Sequence, residues 1–144
     1  MHYYIYCKEQ NITIPQKDAI AEYTKRLSAY CDIHFIPDAK CTVPEHFSIS
    51  NHQILYIEKN LSSYSSLEFA EQIRKFESGG KSNLHLYIGY PYTEFHKVFA
   101  DYKDIPVMTM AISNCDLSDC TLSILLYEQI YRGYTIIQGK TYHK

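Results

Sequence analysis

Residues 127–144 read Tyr-Glu-Gln-Ile-Tyr-Arg-Gly-Tyr-Thr-Ile-Ile-Gln-Gly-Lys-Thr-Tyr-His-Lys. Leading into this stretch, Leu122, Leu126 and Ile130 are spaced four apart, which predicts an amphipathic helix with one apolar stripe facing a core. From residue 129 to the end there is no acidic residue, and tyrosines are interspersed with cations. The stretch therefore predicts a packed final helix followed by a polar tail.

The tail has two interpretations. Arg132, Tyr142, His143 and Lys144 together offer a guanidinium, a phenol, an imidazole and an ammonium group that can close over a polar, anionic ligand. Chain ends are, however, usually solvated and carry charges without a role. Composition alone favours the second interpretation.

The length and composition favour an ordinary folded protein. A chain of 144 residues predicts a single domain, residues 1–144, with a core of its own. No apolar run approaches the roughly 20 residues that span a bilayer, and no signal-peptide pattern is present, so we expect a cytoplasmic protein with no membrane contact. The net charge of −2 excludes a globally basic nucleic-acid binder. Any contact with RNA must come from local clustering of cations.

Cysteine and histidine usage predicts no metal site. The five cysteines form an odd set without a CxxC pair, which favours free thiols in a reducing compartment. The seven histidines are scattered without ligand spacing, and His85 lies in a strand pattern typical of a structural histidine. Asp116 and Asp119 are expected to cap a helix rather than act as an acid/base pair. Common nucleotide-binding, zinc-protease and serine-hydrolase motifs are absent.

Upstream of the final helix, strand and helix patterns alternate. A possible cap at Thr13 before Pro15 and a capping box from Ser65 to Glu68 mark two helix starts, and Ser118 or Asp119 is expected to begin the last helix. The apolar spacing predicts strands at 2–7, 32–36, 53–57, 84–88 and 107–112, and helices at 15–30, 65–78 and 94–102. This order predicts an α/β fold, a parallel sheet with helices on both faces.

Ligands of such sheets bind beyond the carboxyl ends of the strands. We therefore expect the loops that follow Ile57, Ile88 and Ile112 to meet at one edge. Gly89 comes directly after the fourth predicted strand, where glycine permits a positive φ or a close approach of a ligand to the backbone. The candidate ligand site is this edge, together with the tail.

Two stretches carry a resemblance to a known family. Residues 19–27, Ala-Ile-Ala-Glu-Tyr-Thr-Lys-Arg-Leu, resemble the first helix of the SPOUT-class ribosomal RNA large subunit methyltransferase H family. Residues 127–134 and 139–144 resemble its last helix and tail, and the order and spacing agree over nearly the whole chain. The resemblance implies a C-terminal trefoil knot, a homodimer with the site at its interface, and S-adenosylmethionine (SAM) as cofactor. It also implies methyl transfer to N3 of a pseudouridine in large-subunit rRNA of the assembled ribosome.

The resemblance also assigns residues by position. On the substrate side it implies Arg132, Tyr142 and His143 as catalytic residues, with Lys144 completing the tail. An imidazole base and a guanidinium suit an imino nucleophile that must lose its proton. The cofactor contacts that it implies are Ile57, Gly89, Ile112, Ser113, Asn114, Cys115, Asp116 and Leu117.

The sequence departs from the family pattern at four places. Tyr90 follows Gly89 where the family has a second glycine, and Asn60-Leu61-Ser62 stands where it has a Gly-Lys turn. Ser118-Asp119 and Ser123 replace a Pro-His pair and an arginine, and the segment after the second strand is shorter. Tyr90 is large enough to fill the space that a glycine would leave. The alternative function is therefore a catalytically impaired homologue that acts as a dimeric ribosome- or RNA-binding module.

Overall fold

The computed structural model describes residues 1–59 and 62–142. Within them, all strands are parallel and lie in one sheet of order β2-β1-β4-β3-β5. The predicted alternation of strands and helices is confirmed. The elements are β1 (His2–Cys7), α1 (Ile14–Leu27), β2 (Asp32–Ile36), β3 (His52–Ile57), α2 (Ser66–Ser78), β4 (Asn83–Ile88), α3 (Tyr92–Phe99), β5 (Val107–Met110) and α4 (Asp119–Ile137).

The predicted bounds of two helices were wrong. Helix α1 ends at Leu27 rather than at residue 30, because the Leu27 carbonyl accepts the amides of Tyr30 and Cys31 and closes a turn. Helix α3 begins at Tyr92 and ends at Phe99, two or three residues earlier at each end than predicted. The apolar spacing gave both helices correctly, but it cannot locate a final turn.

Strand β5 is shorter than predicted, ending at Met110 instead of at residue 112. The carbonyl of Ala111 accepts the amide of Tyr64 at 2.9 Å, and Tyr64 belongs to the segment between β3 and α2. Ala111 and Ile112 are nevertheless buried. The chain therefore leaves the ladder while still inside the core.

The predicted helix caps are confirmed. The side chains of Thr13 and Ser65 accept the amides of Gln16 and Glu68, and each partner side chain returns to the cap amide. Ser118, not Asp119, caps α4 by accepting the amide of Thr121. Such caps satisfy amides that have no partner within the helix, each worth about 1 kcal/mol.

Helices cover both faces of the sheet, as predicted, although unequally. Side chains of successive strand residues point to opposite faces. Ile5, Leu55 and Leu86 point into the larger core, which α1, α2 and α4 cover. Tyr56 and Tyr87 point into a smaller core, which α3 covers. The larger face fixes the path of α4, from the carboxyl edge of the sheet toward its amino edge.

His85 lies on the face of the smaller core and is the structural histidine that the sequence predicted. Its Nδ1 is 3.2 Å from the hydroxyl of Tyr6, and its Nε2 is 3.0 Å from Nδ1 of His52. Its ring stacks on that of Tyr4, with the centroids 4.9 Å apart. Burial, with a smaller contribution from His52, lowers the pKa of His85 to about 4. The imidazole is therefore neutral near pH 7 and holds strands together.

Candidate functional site

Strands β4, β3 and β5 are neighbours in the sheet, so the loops that follow them meet at one edge. Ile57, the last residue of β3, pairs with Ile88 on one side and with Met110 on the other. Gly89 follows Ile88 directly, and Ile112 lies two residues beyond Met110. The structure thus brings three of the predicted cofactor residues to one place, which we call the cofactor edge.

Gly89 adopts a φ of +87°, a conformation that side chains disfavour. A Cβ atom placed on Gly89 would overlap the carboxylate of Asp119, in the first turn of α4. Glycine is therefore required here for two reasons, the backbone angle and the approach of α4. The sequence indicated the first reason but not the second.

Asp119 forms an ion pair across the cofactor edge. Its Oδ1 lies 3.0 Å from Nζ of Lys59, two residues beyond β3, and the two side chains are 21% and 27% exposed. The start of α4 holds a second carboxylate, since Glu9 accepts the amide of Cys120 at 2.7 Å. Carboxylates are favourable at a helix N-terminus. No local sequence pattern indicates either contact, because the partners lie 60 and 111 residues apart.

A cavity of about 380 Å³ opens at the ends of β3 and β4. This volume lies within the range of about 300 to 1,000 Å³ typical of small-molecule sites. Its wall combines backbone, aromatic rings and charged groups. The lining residues are Tyr56, Ile57, Glu58, Lys59, Gly89, Tyr90, Pro91 and Tyr92.

Tyr90 is only 3% exposed, and its ring belongs to the smaller core. Its hydroxyl donates to the carbonyl of Ala39 at 2.6 Å, and its own carbonyl accepts the hydroxyl of Tyr56 at 2.8 Å. Burial raises its pKa, so the phenol stays neutral. The ring is thus anchored beneath the loop, and the cavity beside Gly89 remains open.

The other predicted cofactor residues form the loop between β5 and α4. Ser113 accepts the amide of Cys115 at 3.1 Å, and the Cys115 carbonyl accepts the amide of Leu117 at 3.0 Å. Asn114, Cys115 and Asp116 are exposed. The loop is a compact turn beyond the end of β5, and none of its residues lines the cavity.

Arg132, Lys140 and Tyr142 come together at the other end of α4, in what we call the C-terminal cluster. The guanidinium carbon of Arg132 lies 5.0 Å from the ring centroid of Tyr142, and its Nε donates to Glu128 at 2.9 Å. Nζ of Lys140 lies 5.0 Å from the ring centroid of Tyr30. Two of the three predicted catalytic residues are therefore in contact. His143, like Lys144, lies outside the described residues.

The C-terminal cluster lines a cavity of about 320 Å³ against the start of α2, where Leu67 is 70% exposed. Burial, the hydroxyl of Tyr23 and then Glu128 raise the pKa of Tyr142 to about 12. The phenol is therefore protonated at neutral pH and can donate a hydrogen bond. The cluster offers donors and positive charge to an anionic partner.

The cofactor edge and the C-terminal cluster are far apart within one chain. Asp119 begins α4, and a helix rises by about 1.5 Å per residue, so Arg132 lies about 20 Å further along its axis. No side chain spans that distance. A site that uses both regions requires the C-terminal cluster of a second molecule.

Residues 1–59 and 62–142 contain no group of three or more histidine, cysteine, aspartate or glutamate side chains placed to hold a metal ion. None of their helices is long and apolar enough to cross a membrane.

A parallel sheet with a cavity beyond its carboxyl edge defines the class of α/β proteins that bind small ligands there. Comparison with known proteins identifies the family. Residues 1–143 match the family described as "Predicted SPOUT methyltransferase", and the chain belongs to that family.

The related proteins carry names with a common activity. Ribosomal RNA large subunit methyltransferase H 1 of Thermoanaerobacter sp. (strain X514) is 30% identical over 145 residues and is covered in full, as is this chain. Ribosomal RNA large subunit methyltransferase H of Clostridium kluyveri is 31% identical over 149 residues, covering 89% of this chain and 90% of the relative. The protein named "Putative ribosomal RNA large subunit methyltransferase H" from Methanospirillum hungatei is 28% identical over 146 residues, with 89% of each chain covered. The resemblance drawn from residues 19–27, 127–134 and 139–144 is confirmed.

Proposed function

We propose that this protein transfers a methyl group from SAM to N3 of a pseudouridine in large-subunit ribosomal RNA. The family supports methyl transfer to rRNA, and the names of the relatives refer to that substrate. The observation that carries the proposal is the separation of two half-sites. One is a ligand cavity at the cofactor edge, and the other is a cationic, phenolic cluster about 20 Å away along α4.

The cofactor edge fits SAM in size and construction. The cavity beside Gly89 has the volume of a small-molecule site, and the positive φ of Gly89 leaves its backbone accessible. We propose that the cofactor contacts are Ile57, Gly89 and the turn from Ile112 to Leu117, which follow three neighbouring strands. When bound, SAM supplies an electrophilic methyl group.

The C-terminal cluster has the chemistry to prepare the acceptor. N3 of a pseudouridine is a weak nucleophile until its proton is removed. We propose that His143 accepts this proton, while the guanidinium of Arg132 stabilises the negative charge that develops on the base. Tyr142 packs on Arg132 and stays protonated, so it can donate a hydrogen bond to the same base.

The distance within one chain supports a homodimer in which each site uses the cofactor edge of one protomer and the C-terminal cluster of the other. We also propose that the chain keeps the trefoil knot. The support for it is the membership in the SPOUT family over residues 1–143. Assembled ribosomes as substrate would place the protein in the cytoplasm.

A second function is favoured by one specific observation. The carboxylate of Asp119 already lies against Gly89, paired with Lys59, where a ligand would approach the backbone. If that pair excludes SAM, the protein is a dimeric ribosome- or RNA-binding module without catalysis. RNA binding would then be weakened by Arg132→Ala and Lys140→Ala and be indifferent to SAM.

Mixing two inactive variants tests the composite site. Gly89→Ala disables the cofactor edge and Arg132→Ala disables the C-terminal cluster, and each is expected to lower methyl transfer to unmodified ribosomes by about 100-fold or more. After subunit exchange at equal concentrations, half of the dimers are mixed and each has one intact site. Activity is therefore expected to return to about a quarter of the wild-type value.

The mixing experiment also has a result that would contradict the composite site. If each site lay within one chain, no mixture would regain activity, and the composite site would be wrong. Isothermal calorimetry with SAM separates the two functions, because absence of binding at millimolar concentration leaves only the RNA-binding module. Arg74→Ala is the matched control, since Arg74 is an exposed arginine of α2 outside both regions, and it is expected to leave activity unchanged.

A further inference from the structure

The ion pair between Lys59 and Asp119 differs from most other ion pairs among the described residues. It joins the segment after β3 to the first turn of α4, whereas the pairs of Arg26 and Arg74 lie within single helices. Lys59 and Asp119 are 27% and 21% exposed, while Lys8 and Glu94, another pair between loop and helix, are 46% and 42% exposed. The pair is thus partly removed from water, and one of its members, Lys59, lines the ligand cavity.

We infer that Lys59 and Asp119 select the cofactor by its charged amino-acid end, with Lys59 binding the α-carboxylate and Asp119 the α-ammonium group. This inference rests on the proposed function, because it concerns how the same cavity distinguishes SAM-like ligands. Ser118-Asp119 stands where the family pattern has a Pro-His pair, so the assignment of Asp119 concerns a residue in which this chain departs from that pattern.

The argument follows from charge. A partly buried ion pair is costly to separate, because each charge loses its partner in a medium of low dielectric constant. A ligand end that carries one positive and one negative group can replace both partners at once, and no charge is left unpaired. Neutral ligand groups such as ribose hydroxyls cannot do so. An existing pair of opposite charges therefore favours a zwitterion over the uncharged adenosine end of the same cofactor.

Position supports the same assignment. Lys59 lines the cavity, and the carboxylate of Asp119 touches Gly89, which also lines it. Lys59 lies two residues after β3, and Asp119 lies in the first turn of α4 beside the cavity. The two groups satisfy each other at 3.0 Å. The amino-acid end of the ligand can therefore replace both partners when it binds.

Two ligands that differ only in the amino-acid end provide the test. S-adenosylhomocysteine and 5′-methylthioadenosine both carry a neutral thioether, but only the first has the ammonium and carboxylate groups. Calorimetry on the unloaded protein is expected to show that the wild type binds S-adenosylhomocysteine about 30-fold or more tightly than 5′-methylthioadenosine, as for charge-assisted hydrogen bonds. Lys59→Met and Asp119→Asn are each expected to lower the affinity for S-adenosylhomocysteine about tenfold or more. The affinity for 5′-methylthioadenosine is expected to fall less than about threefold.

The double variant Lys59→Met/Asp119→Asn guards against an effect on folding, because it leaves no unpaired charge. It is expected to lose the preference as fully as either single variant, since the two charges act as a unit. Lys8→Met and Glu94→Gln remove a comparable pair outside the cavity lining and are expected to change neither affinity. Thermal unfolding of each variant checks that the fold is retained.

Three results would overturn the inference. Equal weakening of both thioethers would show that the pair only holds the cavity open, and unchanged affinities would show that it has no contact with the ligand. A lower affinity for SAM with an unchanged affinity for S-adenosylhomocysteine would assign Asp119 to the sulfonium group instead. In each case the proposed function survives. If the wild type binds none of the three ligands, the proposed function itself is wrong, and this inference falls with it.

Discussion

At the cofactor edge, backbone holds the geometry, whereas in the C-terminal cluster side chains do. Ile57 and Gly89 are fixed by adjacent parallel strands, and Asp119 is fixed by the first turn of α4. Arg132 and Tyr142 instead contact each other through a cation–π interaction at 5.0 Å near the chain end. The two regions use the same helix, about 20 Å apart along its axis.

The difference indicates that the cofactor edge binds a small ligand, whereas the C-terminal cluster meets RNA. A small ligand needs a preformed cavity, and preformed cavities are built from rigid elements. A large RNA surface can order side chains as it binds, so the groups that meet it need less support from the fold. Substitutions at the cofactor edge should therefore affect stability and ligand binding together. Substitutions in the C-terminal cluster should affect catalysis and leave stability nearly unchanged.

Gly89→Ala is expected to have the largest effect on stability. The new Cβ requires a disfavoured positive φ and overlaps the carboxylate of Asp119. Together these should lower the free energy of unfolding by about 2–4 kcal/mol. Chemical denaturation at a fixed protein concentration measures it. Gly80→Ala is the matched control, because Gly80 also has a positive φ but nothing lies within 4 Å of its Cβ position, so about 1 kcal/mol is expected.

A double-mutant cycle separates the two contributions. In an Asp119→Ala background the overlap is gone, so Gly89→Ala should cost about as much as Gly80→Ala, about 1 kcal/mol. An undiminished cost in that background would show that α4 does not press on Gly89. The cofactor edge would then be less rigid than the comparison requires.

Much of the fold could be predicted from the sequence, because local patterns encode it. The cap at Thr13 and the capping box at Ser65 predicted two helix starts, and the apolar run before Gly89 predicted β4. The residues at which strands and helices end were less predictable. The end of β5 depends on a bond between Tyr64 and Ala111, two residues far apart in the chain, and no local pattern can show such a contact.

The candidate site divides in the same way. Gly89 could be proposed from its place after a buried strand, and Arg132 with Tyr142 from an acid-free, tyrosine-rich terminus. Lys59 and Asp119 could not, since an ion pair between residues 60 apart is decided by how α4 lies over β4. The size of Tyr90 suggested an obstacle in the cavity. The orientation of its ring is set by a hydrogen bond to the carbonyl of Ala39, which composition does not reveal.

Thiol labelling probes the cofactor edge with an effect that we expect to be smaller, about tenfold in rate. Cys115 is exposed on the loop between β5 and α4. Burial raises the pKa of Cys31 to about 12 and those of Cys41 and Cys120 to about 11, so these thiols are nearly all protonated near pH 8. Cys115 should react first with a maleimide, and SAM should slow it about tenfold.

Mass spectrometry of the labelled protein identifies the cysteine that reacts. The variant Cys115→Ser is the control, and it should lose the fast phase. In Arg132→Ala the protection by SAM should be unchanged, because Arg132 is proposed to contact the acceptor base and not SAM. Labelling of Cys115 at the same rate with and without SAM would remove the loop from the cofactor contacts and restrict the site to the ends of β3 and β4.

Arg132→Ala is expected to have a smaller effect on stability than Gly89→Ala, although it removes a proposed catalytic group. The ion pair with Glu128 joins successive turns of α4, and such pairs contribute about 0.3–0.5 kcal/mol. The contact with Tyr142 adds about 0.5–1 kcal/mol. Denaturation should therefore show a loss of at most about 1.5 kcal/mol, beside a fall in methyl transfer of about 100-fold. A loss comparable to that of Gly89→Ala would mean that Arg132 holds the fold together, and the fall in activity could then no longer be assigned to chemistry at the acceptor.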